Sequence, residues 1–137
     1  MNVLKTVLLL FIMQGSSLTA QQLSDYRWKN RILILSDNQI DSIHTKAALK
    51  ILRNHSKEIK ERDLILFLYK DGKFYNTDRK EIPLKKANSI TKNLNGYVLV
   101  GKDSSIKSSQ PYPLRLEEVF TLIDGMPMRK SEIKSDN

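Results

Sequence analysis

Apolar residues fall along this chain in two rhythms. Ile32 to Leu35, Leu64 to Tyr69 and Tyr97 to Val100 are unbroken aliphatic or aromatic runs without alternation. Such runs predict interior strands covered on both faces. Between the first two, the spacing lengthens to three and four residues. A helix is expected from a cap at Asp37 or Asn38 to about Lys60, ended by Arg62 and Asp63, with Ile40, Ile43, Ala47, Ala48, Ile51 and Ile59 in one arc that also holds His44 and His55. Lys70-Asp71-Gly72-Lys73 reads as a tight turn, with Phe74 and Tyr75 extending a hairpin arm and 76–81 a polar loop. Pro83 then opens a second helical pattern through Leu84, Ala87, Ile90 and Leu94, stopped at Asn95-Gly96.

The stretch from Tyr97 to Arg129 is the most complete unit. A strand to Val100, a turn over Gly101-Lys102-Asp103-Ser104-Ser105 and a return strand from Ile106 to Ser109 predict a hairpin. Leu116, Val119, Phe120 and Ile123 lay one apolar stripe along a helix that would cover it, closed by Met126-Pro127-Met128-Arg129. An isolated hairpin is marginal in water, so hairpin and stripe need each other. Tyr26 and Trp28 are expected to cap the core from the N-terminal side. Residues 131–137 read as a flexible polar tail. The order is β-α-β-α-β-β-α. Parallel strands joined by helical crossovers, then an antiparallel hairpin and a covering helix, give an α/β, thioredoxin-like three-layer fold around a central mixed four-stranded sheet.

The first twenty residues read as an address. Lys5 precedes an apolar run from Val7 to Met13, and Gly15 to Ala20 offers small residues with Ala20 at the expected cleavage point. The run is shorter than the roughly 18 residues a membrane span needs, so a cleaved signal peptide over 1–20, export to a periplasm or the exterior, and a domain over 21–130 are the expectation. Losing residues 1–20 removes one lysine and no acid, lowering the formal charge from +8 to +7. The chain contains no cysteine. That excludes disulfides, thiolate metal sites and thiol redox chemistry of its own.

Lys46, Lys50, Arg53, Lys57 and Lys60 fall on one face of the first long helix. They read first as a solvated face. The sharper alternative, widened by Lys85, Lys86 and Lys92, is a patch for an acidic glycan, an anionic lipid surface or an acidic protein. No aromatic alternates with these lysines, so base stacking has no support and nucleic acid ranks last. Lys102, Asp103 and Lys107 crowd one turn, where with Asp124 and Arg129 they would line an anion site at the hairpin end or form closed ion pairs. A further alternative is a metal-dependent hydrolase using Asp103 and Asp124. His44 and His55 are three helical turns apart, too far to share a metal, and read as core-edge residues. Met126 and Met128 are expected to plug the core. No nucleophile elbow or phosphate-cradling glycine loop occurs, and no cofactor is called for.

Tyr26, Trp28, Lys29, Asn30 and Arg31, then Glu61-Arg62-Asp63-Leu64, Gly101-Lys102-Asp103, Lys107, Ile123-Asp124, Met126 to Arg129 and Glu132, resemble the DUDES-type family of uncharacterised exported bacterial domains. That family is similar to the repeated domain of the vertebrate matrix protein down-regulated by oncogenes and of sushi-repeat proteins. The resemblance implies a thioredoxin-like or peroxiredoxin-like fold, and with it an oxidoreductase acting with a partner's thiol as an alternative to a binding module. Where that fold would carry its thiol, after the first strand, this chain has Ser36, Asp37, Asn38 and Gln39. No proline stands immediately before Tyr97, and Ser104 and Ser105 replace the glycine common in the family's turn.

Overall fold

In the computed structural model, residues 22–38, 42–85 and 95–137 are described. After a 3-10 turn at Leu23–Tyr26, the elements run β1 (Arg31–Ser36), α1 (Ile43–Asn54), α2 (Ser56–Glu61), β2 (Leu64–Lys70), β3 (Lys73–Tyr75), β4 (Glu81–Ile82), β5 (Gly96–Val100), β6 (Ile106–Pro111), α3 (Leu116–Asp124) and α4 (Pro127–Ser135). The strands form one mixed sheet in the order β4-β3-β2-β1-β5-β6. β1 lies at its middle, buried at every position, parallel to β2 with Ile34 opposite Phe67 and antiparallel to β5 with Ile34 opposite Val98. The three aliphatic runs are therefore the three central strands. The sheet has six strands, two more than the pattern suggested, because Phe74-Tyr75 pairs with β2 and the end of the supposed 76–81 loop pairs with it in turn. Asp71 and Gly72 both have positive φ, 49° and 80°, the geometry that lets a two-residue turn follow strand twist.

Alternation sorts the strand side chains into two cores. Leu33, Leu35, Leu64, Leu68, Tyr97 and Leu99 face Leu49, Leu52, Ile59, Val119 and Ile123 of the helices. Ile32, Ile34, Phe67, Tyr69, Phe74, Val98 and Val100 form the other cluster with Leu23 and Leu84. Each buried aliphatic side chain removes surface worth about 1.5–3 kcal/mol, so the sheet needs no covalent staple. Gly96 leaves no room for a side chain against the return strand: a Cβ there would stand 2.0 Å from the Gln110 carbonyl oxygen.

The long first helix is two helices. Ser42, rather than Asp37 or Asn38, caps α1, its hydroxyl accepting the Thr45 N–H at 3.2 Å. At His55 (φ −122°, ψ 29°) the helix stops, and the ring Nδ1 lies 2.8 Å from the Ile51 carbonyl. The break resets the helical phase. The buried positions are Thr45, Ala48, Leu49 and Leu52 in α1 and Ile59 in α2, while Ile43 is 79% exposed and Ala47 is exposed. Trp28, expected to cap the core, is 57% exposed, whereas Tyr26 packs edge-on against Phe67. Met126 packs on the core but Met128 lies at the surface. Pro127 to Ser135 is helical rather than a polar tail beyond 130. The expected helix after Pro83 falls mostly on 86–94, outside the described residues, as does Ile40.

Candidate functional site

Charged residues abut the three buried runs: Arg31 precedes Ile32, Arg62-Asp63 precedes Leu64, and Lys102 follows Val100-Gly101. Because β1 and β2 are parallel and β5 is antiparallel to them, all three arrive at one end of the sheet. There Glu132 of α4 reaches in. Lys102 Nζ lies 2.5 Å from Glu132 Oε1 and 2.8 Å from Asp63 Oδ2, and Arg31, 1% exposed, lies 3.2 Å from Glu132 Oε2. Arg31 also donates to the Arg62 carbonyl at 2.9 Å. A second knot adjoins the first. Arg62 grips Asp124 with Nε at 3.0 Å and Nη2 at 2.8 Å, and its guanidinium lies over the Phe120 ring. Arg129 approaches the same carboxylate at 3.4 Å, donates to the Glu61 carbonyl at 2.8 Å, and stands 3.8 Å from Glu132.

Four cations thus face three carboxylates. Burial works against ionisation of Glu132, but Lys102 and Arg31 outweigh it and hold its carboxyl below the ordinary range. Burial opposes Asp124 in the same way, and Arg62, then Arg129, hold it low as well. Lys102 and Arg129 are each 8% exposed. They are ties between elements, not open anion ligands. Arg31, Arg62, Asp63 and Glu132 complete the knot without appearing among the site residues the sequence suggested. The signal that finds Arg31, Arg62 and Asp63 is their position directly beside the buried runs; Glu132, within α4, carries no such signal.

Asp103 and Lys107 do not join this knot. They pair with each other at 2.9 Å in the hairpin turn, where Asp103 also accepts from the Ser105 N–H and hydroxyl. The Lys107 ammonium, then Ser105, hold the Asp103 carboxyl far below its usual range. Asp103 and Asp124 share no partner among the described residues, so the geometry gives no support to a hydrolase built on the two. At the opposite end of β1, where a thiol would sit in this fold, Asp37 accepts hydrogen bonds from the Ser42 and Thr45 hydroxyls. Tyr112 lies nearby, stacked on His44, and burial pushes its phenol up to about 12, with the Asp37 charge adding to the shift. His55 meets Phe120 edge-on.

The helical cations are a different population. Lys46, Lys50, Arg53, Lys57 and Lys60 are all exposed. Lys57 has a long i,i+4 approach to Glu61 at 3.9 Å, and the other four have no acidic partner among the described residues. Arg53 and Lys60 stand at the rim of a hollow of about 300 Å³ whose apolar wall is Leu49, Leu52, Ile59, Leu64 and Leu66. Lys85 is also exposed; Lys86 and Lys92 lie outside the described residues.

With the geometry in place, known proteins can be set beside it. The reduced 2-Cys peroxiredoxin of Plasmodium vivax is 13% identical and superposes with a TM-score of 0.55, covering 80% of this chain and 84% of that one. Thioredoxin peroxidase I of Plasmodium yoelii is 17% identical, with a TM-score of 0.53 over 80% of this chain and 79% of that one. At such identities the likeness is one of fold, which is thioredoxin-like. In sequence the chain is 27% identical over 139 residues to Coiled-coil domain-containing protein 80 of Danio rerio, an alignment that takes in 88% of this chain and 16% of that protein. The chain thus corresponds to a small part of that relative. Residues 22–132, which include every member of the ion-pair knot, match the family described as Domain of unknown function (DUF4174), and the chain belongs to that family.

Proposed function

We propose that this chain is a non-catalytic binding module, exported by way of residues 1–20, that uses the exposed cationic face of α1 and α2 to hold an acidic partner of the envelope or matrix. In this reading it is a member of the DUDES-type group within its family. The observation that carries the proposal is the contrast in charge pairing. Most other described cations near the core have carboxylates at 2.5–3.4 Å, whereas Lys46, Lys50, Arg53 and Lys60 present charge to solvent without one among the described residues. Unpaired like charges on one helix face repel one another, and an anionic partner relieves that repulsion while steering its own approach.

The Plasmodium vivax neighbour is a 2-Cys peroxiredoxin, whereas the 137 residues here supply no cysteine. A peroxidase role would need a thiol from a partner protein. Retention of the purified protein on immobilised heparin, with elution moving to lower salt when Lys50, Arg53 and Lys57 are changed to Ala, is the expected result. Unchanged elution sinks the proposal. Peroxide turnover by the purified protein without any added thiol protein would overturn it from the other side.

A further inference from the structure

β2 is paired along nearly its whole length on one side and along less than half of it on the other. Leu64 to Tyr69 run beside β1, but β3 reaches only Leu68, Tyr69 and Lys70. The direction of the unpaired groups follows from the register. The Asp63 and Tyr69 carbonyls accept from Arg31 and Asp37 of the β1 side, so odd-numbered positions of β2 turn their amides inward. Leu64 and Leu66 therefore turn theirs outward, past the end of β3. Among the described residues these outward groups have no strand beside them.

The side chains of the same two residues point to the helical face of the sheet and form one wall of the hollow completed by Leu49, Leu52 and Ile59. Thr77, in the turn between β3 and β4, also lines it. Arg53 and Lys60 stand over it without carboxylate partners among the described residues. An open strand edge, an apolar recess beside it and a cationic rim above it thus coincide. A bare edge is a template for another strand, and proteins ordinarily block it with charge, proline or a covering loop. Here the charge is at the rim.

From this coincidence we infer that the acidic partner is a protein, which binds as an extended segment lying along Leu64 to Phe67, continuing the line of β3. Its backbone pairs with the outward amides of Leu64 and Leu66, an apolar side chain enters the recess, and acidic neighbours meet Arg53 and Lys60. A polysaccharide or a lipid headgroup would use the rim but has no row of amides for the edge. A second copy of this chain, at +8, would bring more positive charge to a positive rim. The inference rests on the cationic-face reading and names its partner class.

The test uses a seven-residue synthetic peptide alternating glutamate with valine or leucine, followed by fluorescence anisotropy against the whole purified protein. Two N-methylated versions carry methyls on alternate amides, one set odd and one set even. In a strand-paired complex one set faces the edge and the other faces away. One methylated peptide is therefore expected to bind at least tenfold more weakly than the parent and the other to match it within about threefold. The Leu66 amide proton is expected to exchange more slowly with solvent in the complex, and Arg53→Glu with Lys60→Glu to weaken the parent at least tenfold. Equal binding by both methylated peptides, or no binding by the parent, overturns the inference. Heparin elution separates the two levels. Retention that still depends on Lys50, Arg53 and Lys57 leaves the cationic-face reading standing when the strand fails, and retention independent of them removes both.

Discussion

Arg31 and Arg53 carry the same guanidinium, yet one is structure and the other is surface. Arg31 sits 1% exposed at the head of the central strand with Glu132 on its fork. Arg53 lies on an exposed helix face with no carboxylate partner among the described residues. What separates them is the supply of acid. At the sheet end, Asp63, Asp124 and Glu132 arrive from a strand approach and two helices to meet four cations; on the basic face of α1 and α2 only Lys57, through Glu61, has an acidic partner among the described residues. A basic chain does not have one basic character, and only the unmatched part of its charge is open to another molecule.

The comparison breaks most visibly at Glu132. Glu132→Ala leaves Arg31 buried without its counter-charge, and urea denaturation is expected to register a loss of about 3 kcal/mol. Replacing both partners with apolar residues, Arg31→Met with Glu132→Leu, is expected to recover at least about 1 kcal/mol of that, since an orphaned charge costs more than a missing pair. A double variant less stable than the single one would show that the pair contributes net attraction. Asp124→Asn weakens two less buried ties, and a loss of about 1 kcal/mol is expected by the same measurement. Lys50→Ala, Arg53→Ala and Lys57→Ala together should leave stability within about 0.5 kcal/mol while changing heparin elution.

Acid titration sharpens the same contrast. Glu132 and Asp124 have folded values below their ordinary 4.5 and 3.8, so their contribution is complete above those values and is lost as pH falls through the lower, folded ones. The urea midpoint is therefore expected to hold steady above about pH 5 and fall below it. Glu132→Gln should flatten that fall. A wild-type midpoint that does not change between pH 6 and about 3 would contradict the assignment of these carboxylates to the knot.

Much of the fold was legible because burial writes itself plainly. Ile32 to Leu35, Leu64 to Tyr69 and Tyr97 to Val100 have no polar alternate positions; β1 and β5 are buried at every position, and β2 at Leu64 and Phe67 to Tyr69. The helix before β2 was harder. Its break at His55 involves neither proline nor glycine, so nothing in the composition marks it, and a wheel drawn through the break favours isoleucines over Leu49 and Leu52. β4 is two residues long and carries no periodicity to detect. The knot was half visible. Asp124 and Arg129 stood out as neighbours in sequence, but Arg31 and Glu132 are 101 positions apart, and no local pattern announces a tie of that span.

That span has a consequence for how the protein is made. A ribosome that has produced every strand of the sheet, and even α3, has not yet made the carboxylate that neutralises the charge at the head of β1. Until residue 132 emerges, the nascent chain holds a guanidinium it cannot bury cheaply. Final consolidation therefore waits for Glu132, and a product stopped before that residue should be readily degraded by proteases that leave one carrying it intact.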